Sequence, residues 1–164
     1  MPHLLKARDT LESVEISFDV IGRPAPQGSK KSIGNNRFIE SSKFLPAWRA
    51  DVKSAAIHAT QVYGWQAVTG PVELEIMFYL DRPSSISRTA RPYPIVAPDL
   101  DKLIRGVGDS LTGVVYEDDA QVIRVLAWKT YADTRPPGAF IRVNELSQFD
   151  NEAFQSFDFL DLPD

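Results

Sequence analysis

Pro98-Asp99-Leu100-Asp101-Lys102-Leu103-Ile104-Arg105, followed by Asp109 and then by Glu117-Asp118-Asp119-Ala120-Gln121, is the stretch on which the reading of this chain turns. It sets five aspartates, one glutamate, one lysine and one arginine within 21 residues. Leu100, Leu103, Ile104, Val107 and Leu111 fall within about 100° of arc on a helical wheel. That stripe predicts a helix from about Leu100 to Leu111, docked on a core and ended by Gly113. Asp101, Arg105 and Gly108 share a different face, with Asp101 and Arg105 neighbours at i and i+4. Gln121 to Tyr131 then reads as a mostly buried strand. Helix, short connection and returning strand bring both acidic groups to the same end of one supersecondary unit.

Working outward, Val14 to Ile21 alternates as a strand, with Ile16, Phe18 and Val20 on one face. Gly22 to Ser29 is a loop, because Pro24 and Pro26 forbid helix and remove ladder donors. Lys30 to Ile39 reads as a small hairpin turning at Gly34-Asn35-Asn36. Pro46 suits a helix's first turn, and residues 46–63 carry apolar side chains at helical spacing. Val72 to Leu80 is a clear strand, and Ala139 to Glu145 is the last one. Residues 81–98 form a connection long enough to be expected functional or mobile. The pattern predicts one α+β domain, a mixed sheet of four to six short strands with helices packed on it. Its bounds are 14–145, with a flexible leader at 1–13 and an acidic tail at 146–164.

The chain has 164 residues, no cysteine and a net charge of −4. Disulfides and thiolate metal sites are thereby excluded, which fits a reducing cytoplasm. No apolar run approaches the roughly 20 residues that span a bilayer, so no membrane partner is expected. Residues 144–164 carry six acidic groups and no basic one, while residues 23–53 carry seven basic groups against two acidic. A solvated charge run is the bland account of such a block. Separated basic and acidic blocks also suit a phosphate-binding surface beside a metal site.

Asp99, just before the helix, and Asp101, in its first turn, both suit helix capping, and Glu117-Asp118-Asp119 suits an acidic turn. Capping does not need both aspartates, and the co-occurrence of the two clusters favours another account. Carboxylates so close repel unless a positive charge lies between them, and a hard divalent cation is the usual occupant. The basic residue among them points to an anionic substrate. His3 and His58 lie far from the cluster in sequence, so neither a histidine base nor a zinc triad is supported. An EF-hand fails because Leu103 and Ile104 stand where an oxygen ligand and a glycine are required. A magnesium-dependent enzyme acting on phosphodiesters is the resulting expectation.

These residues resemble the RusA-type Holliday junction resolvases, a family common in phages and prophages. The matching positions are Asp99, Asp101, Asp109-Ser110-Leu111, Asp118-Asp119-Ala120-Gln121-Val122 and Lys129. The match is close over about residues 96–131 and looser before them. The resemblance implies a RusA-like fold and a homodimer in the bacterial host cytoplasm. It implies that Asp99, Asp101 and Asp119, with Asp118 as a helper, ligate Mg²⁺, for which Mn²⁺ substitutes. It also implies a basic group at Arg105. Two departures stand out: Lys102 replaces an asparagine and Arg105 replaces a lysine. Arginine cannot exchange a proton near neutral pH but clamps phosphate bidentately, so Arg105 is assigned to phosphate or transition-state charge.

The expected function is Mg²⁺-dependent, structure-selective cleavage of four-way DNA junctions at paired phosphodiesters, serving recombination, repair or clearance of branched phage DNA. Lys30, Lys31, Arg37, Lys43, Lys102 and Lys129 are the expected DNA contacts. Two other classes stay open: a different metal-dependent phosphodiesterase acting on flaps or forks, and a catalytically idle module that binds branched DNA.

Overall fold

The computed structural model describes residues 14–28, 30–32, 38–40 and 42–146, the segments 30–32 and 38–40 as backbone only. The elements run β1 (Glu15–Ile21), β2 (Lys30–Ser32), β3 (Phe38–Glu40), α1 (Leu45–Tyr63), β4 (Val72–Leu80), α2 (Leu100–Leu111), a 3₁₀ turn (Asp119–Gln121), β5 (Val122–Tyr131) and β6 (Gly138–Glu145). The leader, the turn at residues 34–36, Arg37 and the tail beyond Leu146 lie outside the described residues.

The main sheet is mixed, in the order β1-β6-β4-β5, and β2 pairs with β3 in a separate antiparallel ribbon. β6 runs antiparallel to both β1 and β4, whereas β4 and β5 are parallel. Parallel neighbours need a long crossover, and here α2 lies within it. The expected α+β class holds.

Alternation along β4 buries Val72, Leu74, Ile76, Phe78 and Leu80 and leaves Glu73, Glu75, Met77 and Tyr79 half-buried on the reverse face. The inward residues join Trp48, Val52 and Ala56 of α1, Leu103, Val107 and Leu111 of α2, and Ala139, Ile141 and Val143 of β6 in one core. Both helices therefore cover the same face of the sheet. The reverse face carries ion pairs, Arg124 with Glu73 and Arg142 with Glu75, beside the apolar Met77 and Tyr79.

One expectation changes. β5 is not mostly buried: Ile123, Val125, Leu126 and Trp128 are 63%, 43%, 54% and 40% exposed. Its apolar run resembles that of a central strand, but the sheet order makes it the outer edge. The connection at 81–98 is tied down at several points. The Arg82 guanidinium donates to both carboxylate oxygens of Asp133 at 2.8 Å and to the Arg91 carbonyl at 2.6 Å. It also stacks 3.9 Å from the centre of the Tyr131 ring. Lys129 Nζ donates to the carbonyls of Val96 and Pro98, each at 2.8 Å, and so fixes the residues that precede Asp99.

Candidate carboxylate site

The core stripe of α2 faces the sheet, so its polar stripe is displaced to the side, beside β5. Asp101, Arg105 and Asp109 are spaced i, i+4 and i+8 and stack along that side. With Ile104, Gly108 and Asp119 they line an open cleft of about 270 Å³, whose apolar wall is Leu74, Val122 and Val125. The carboxylate of Asp119 comes from the 3₁₀ turn at the foot of β5. Asp101, Arg105, Asp109 and Asp119 thus meet in one cleft.

Three sets of contacts hold this arrangement. The proline loop between β1 and β2 lies along α2, where the Gln27 N–H donates to the Lys102 carbonyl at 2.9 Å. The Gln27 side-chain amide donates to the Asp109 carboxylate. Gly28, at φ +97°, lets the loop pass the Arg105 guanidinium, which would stand 2.8 Å from a Cβ placed there. Any other residue would carry both backbone strain and a side-chain displacement.

Tyr116 provides the second set. It is fully buried, and its hydroxyl donates to the Gly108 carbonyl at 2.9 Å. Burial pushes its phenol well above the usual value, and the charges of Asp119 and Asp109 push it the same way. The phenol stays protonated and remains a donor beneath two carboxylates. In the third set, the Gln121 side-chain amide donates to the carbonyls of Val68 and Gly70, both at 2.8 Å, which anchors the turn bearing Asp119.

Of the residues expected to be catalytic, Asp101, Asp119 and Arg105 line the cleft, and the structure adds Asp109. Asp99 occupies the N-cap position of α2 with no side-chain capping bond and pairs with Lys102 Nζ at 3.0 Å. The Asp118 carboxylate accepts the Ala120 N–H at 2.8 Å and caps the 3₁₀ turn. Lys102 is therefore engaged with Asp99, and Lys129 with the Val96 and Pro98 carbonyls. Lys43 is exposed, its ammonium 5.0 Å from the centre of the Phe44 ring. Lys30 and Lys31 are placed by backbone on β2.

Among the described residues, no three carboxylate, histidine or cysteine side chains are set to hold one metal ion together. The donor type still fits a hard cation. Asp101 makes no side-chain hydrogen bond or ion pair with another described residue, and Asp119 shares its cleft. One or two carboxylates, completed by water and substrate phosphate oxygens, is the usual Mg²⁺ set. Gln27 went unmarked in the sequence reading, and Asp109 stood in its acidic stretch without being assigned a site role. Asp109 carried a signal in its i+8 spacing from Asp101, whereas Gln27 lies 82 residues from its partner and carried none.

No helix among the described residues is long and apolar enough to cross a membrane. The chain is 29% identical over 146 residues to the uncharacterised protein YqaN of Bacillus subtilis (strain 168), covering 80% of this chain and 97% of that relative. The family model described as endodeoxyribonuclease RusA matches residues 21–144, a span that holds the whole cleft, its proline loop, β4, β5 and all of β6 but its last residue. The chain belongs to the RusA endodeoxyribonuclease family.

Proposed function

We propose that this chain is a metal-dependent endodeoxyribonuclease that resolves four-way DNA junctions by paired cleavage in the bacterial host cytoplasm. The observation that carries the reading is the single cleft shared by Asp101, Asp109, Asp119 and Arg105, inside the family-matched span. Asp101 and Asp119 would hold Mg²⁺, with Mn²⁺ as its substitute, and Asp99 would join them by releasing Lys102. A cation bound there supplies positive charge to the phosphodiester and acidifies water. Arg105 binds the non-bridging phosphate oxygens. Gln27 keeps the Asp109 carboxylate oriented, and the buried Tyr116 hydroxyl holds α2 at Gly108. Lys30, Lys31, Arg37 and Lys43 are proposed backbone contacts for the DNA arms. Lys102 and Lys129 act nearer the cleft, positioning Asp99 and the residues before it.

A homodimer completes the reading. β5 presents a ten-residue open edge with Ile123, Val125, Leu126 and Trp128 exposed. Natural sheets usually cover or blunt such an edge. A second copy pairing along it would bring two clefts side by side, because Val122 and Val125 belong to both the edge and the cleft. An isologous two-fold contact then addresses two strands of one junction.

Asp101→Asn is expected to abolish cutting, by more than the roughly 100-fold that loss of an outer-shell partner costs, while junction affinity holds or rises. Near-normal cutting by this variant, followed on a labelled junction in Mg²⁺, would remove Asp101 from the site.

Replacing Lys30 and Lys31 together by alanine is expected to weaken junction binding. It should also flatten the slope of log affinity against log salt by up to about two units, at roughly 0.9 per phosphate contact. An unchanged slope returns both lysines to the solvent.

For the dimer, Leu126→Lys is expected to give a folded monomer by sedimentation where the parent chain sediments as a dimer. A variant that remains dimeric puts the interface elsewhere.

A further inference from the structure

Three arginines of this chain stack closely on an aromatic ring. Arg82 lies 3.9 Å from the centre of Tyr131, and Arg135 lies 3.8 Å from that of Tyr79. Each of these also donates to a carboxylate, Arg82 to Asp133 and Arg135 to Asp19. Arg23 lies 3.9 Å from the centre of Phe44, is exposed, and pairs with no carboxylate among the described residues. A guanidinium stacked on a ring keeps its N–H edge available to an oxyanion.

Other cations gather at the same place. Lys43 Nζ lies 5.0 Å from the centre of the same Phe44 ring. Lys43 and Arg49 line one open groove at the start of α1. Both are exposed, and neither is in an ion pair with a described residue, whereas six other cations are paired with carboxylates. α1 adds to the positive field, because it has no acid in its first turn and no side-chain bond at its N-cap. The acids nearby are Asp51, half-buried against Gly22, and Asp81, which lines a cavity with Arg23. Three cations gathered against their own repulsion suit a polyanion.

We propose that Arg23, Lys43 and Arg49 grip the phosphate backbone of a DNA arm about four nucleotides from the phosphodiester at the carboxylate cleft. The inference rests on the proposed nuclease function and deepens it: Arg23 and Arg49 become backbone contacts, and the grip acquires a position on the strand. The proline loop sets that position. Arg23 stands near its start, and Gln27, four residues on, donates to Asp109 in the cleft. Four residues of chain span at most about 14 Å, about four steps of a B-form strand. Pro24 and Pro26 stiffen the loop. Gly106 lets it lie close on α2, since a Cβ there would stand 3.2 Å from the Ala25 carbonyl oxygen. The spacing between grip and cleft is thereby held by the fold. Arg23 meets one phosphate with its N–H edge, and Lys43 and Arg49 meet its neighbours.

The test follows binding of the full chain to a labelled four-way junction by fluorescence anisotropy, in chelator and over a salt series. Arg23→Gln and Arg49→Gln together should flatten the slope of log affinity against log salt by up to about two units, at roughly 0.9 per phosphate contact. Arg23→Lys, which keeps the charge, should retain most of the slope. Arg142→Gln, on the reverse face of the sheet, should leave it unchanged. A set of junctions, each with one uncharged methylphosphonate linkage near the branch, then locates the grip. One or two linkages, about four nucleotides from the cut, should weaken binding of the parent chain and have no further effect on Arg23→Gln. An unchanged slope, or equal linkage effects in parent and variant at every position, would overturn the proposal. So would tighter binding by the double variant, which would give the surface to the chain's own residues 147–164, with five acidic groups and no basic one. A chain that shows the grip but cuts no branched DNA overturns the nuclease reading alone. One that cuts a junction without the grip overturns the grip alone.

Discussion

Asp101, Asp109 and Asp119 carry like charges into one cleft, and the repulsion between them is opposed by everything packed around α2. The helix is fixed to the sheet by Leu103, Val107 and Leu111, all fully buried. Its outer side is bound by the proline loop through Gln27. Its C-terminal half is held from below by the Tyr116 hydroxyl on the Gly108 carbonyl. Clustered carboxylates are electrostatically costly in the absence of a cation, so a cleft maintained against that cost is the central physical fact about this protein. Under the proposed function, a hard cation and a phosphodiester would relieve that cost.

The same framework separates binding from scaffolding within one acidic cluster. Asp118 and Asp119 are adjacent, yet the first closes a 3₁₀ turn and the second faces the cleft. Asp99 and Asp101 divide in a comparable way, one paired with Lys102 and the other unpaired among the described residues. Lys129 positions the approach to Asp99 by drawing two carbonyls from the connection onto β5.

What was legible in the sequence follows the range of the interaction. The apolar stripe of Leu100–Leu111 and the alternation of Val72–Leu80 depend on neighbours within a few residues, and both elements stand with the expected bounds. The gathering of Asp101, Arg105 and Asp119 was legible because helix, connection and strand are consecutive. Gln27 with Asp109, and Lys129 with Val96 and Pro98, join residues that only the tertiary fold brings together. The exposure of β5 depended on sheet order, since an apolar edge strand and an apolar central strand read alike. Which of two adjacent aspartates faces the cleft depended on the backbone of a single turn.

The central claim is that this cleft performs metal-dependent cleavage of branched DNA. Its most direct test is incubation of the full chain with a labelled synthetic four-way junction, with Mg²⁺ and with chelator, beside linear duplex and flap substrates of the same sequence. The account predicts paired nicks in opposing strands of the junction only when Mg²⁺ is present, with the duplex left intact. Junction binding without cutting under any divalent cation would contradict it, as would cutting of flap or duplex in preference to the junction.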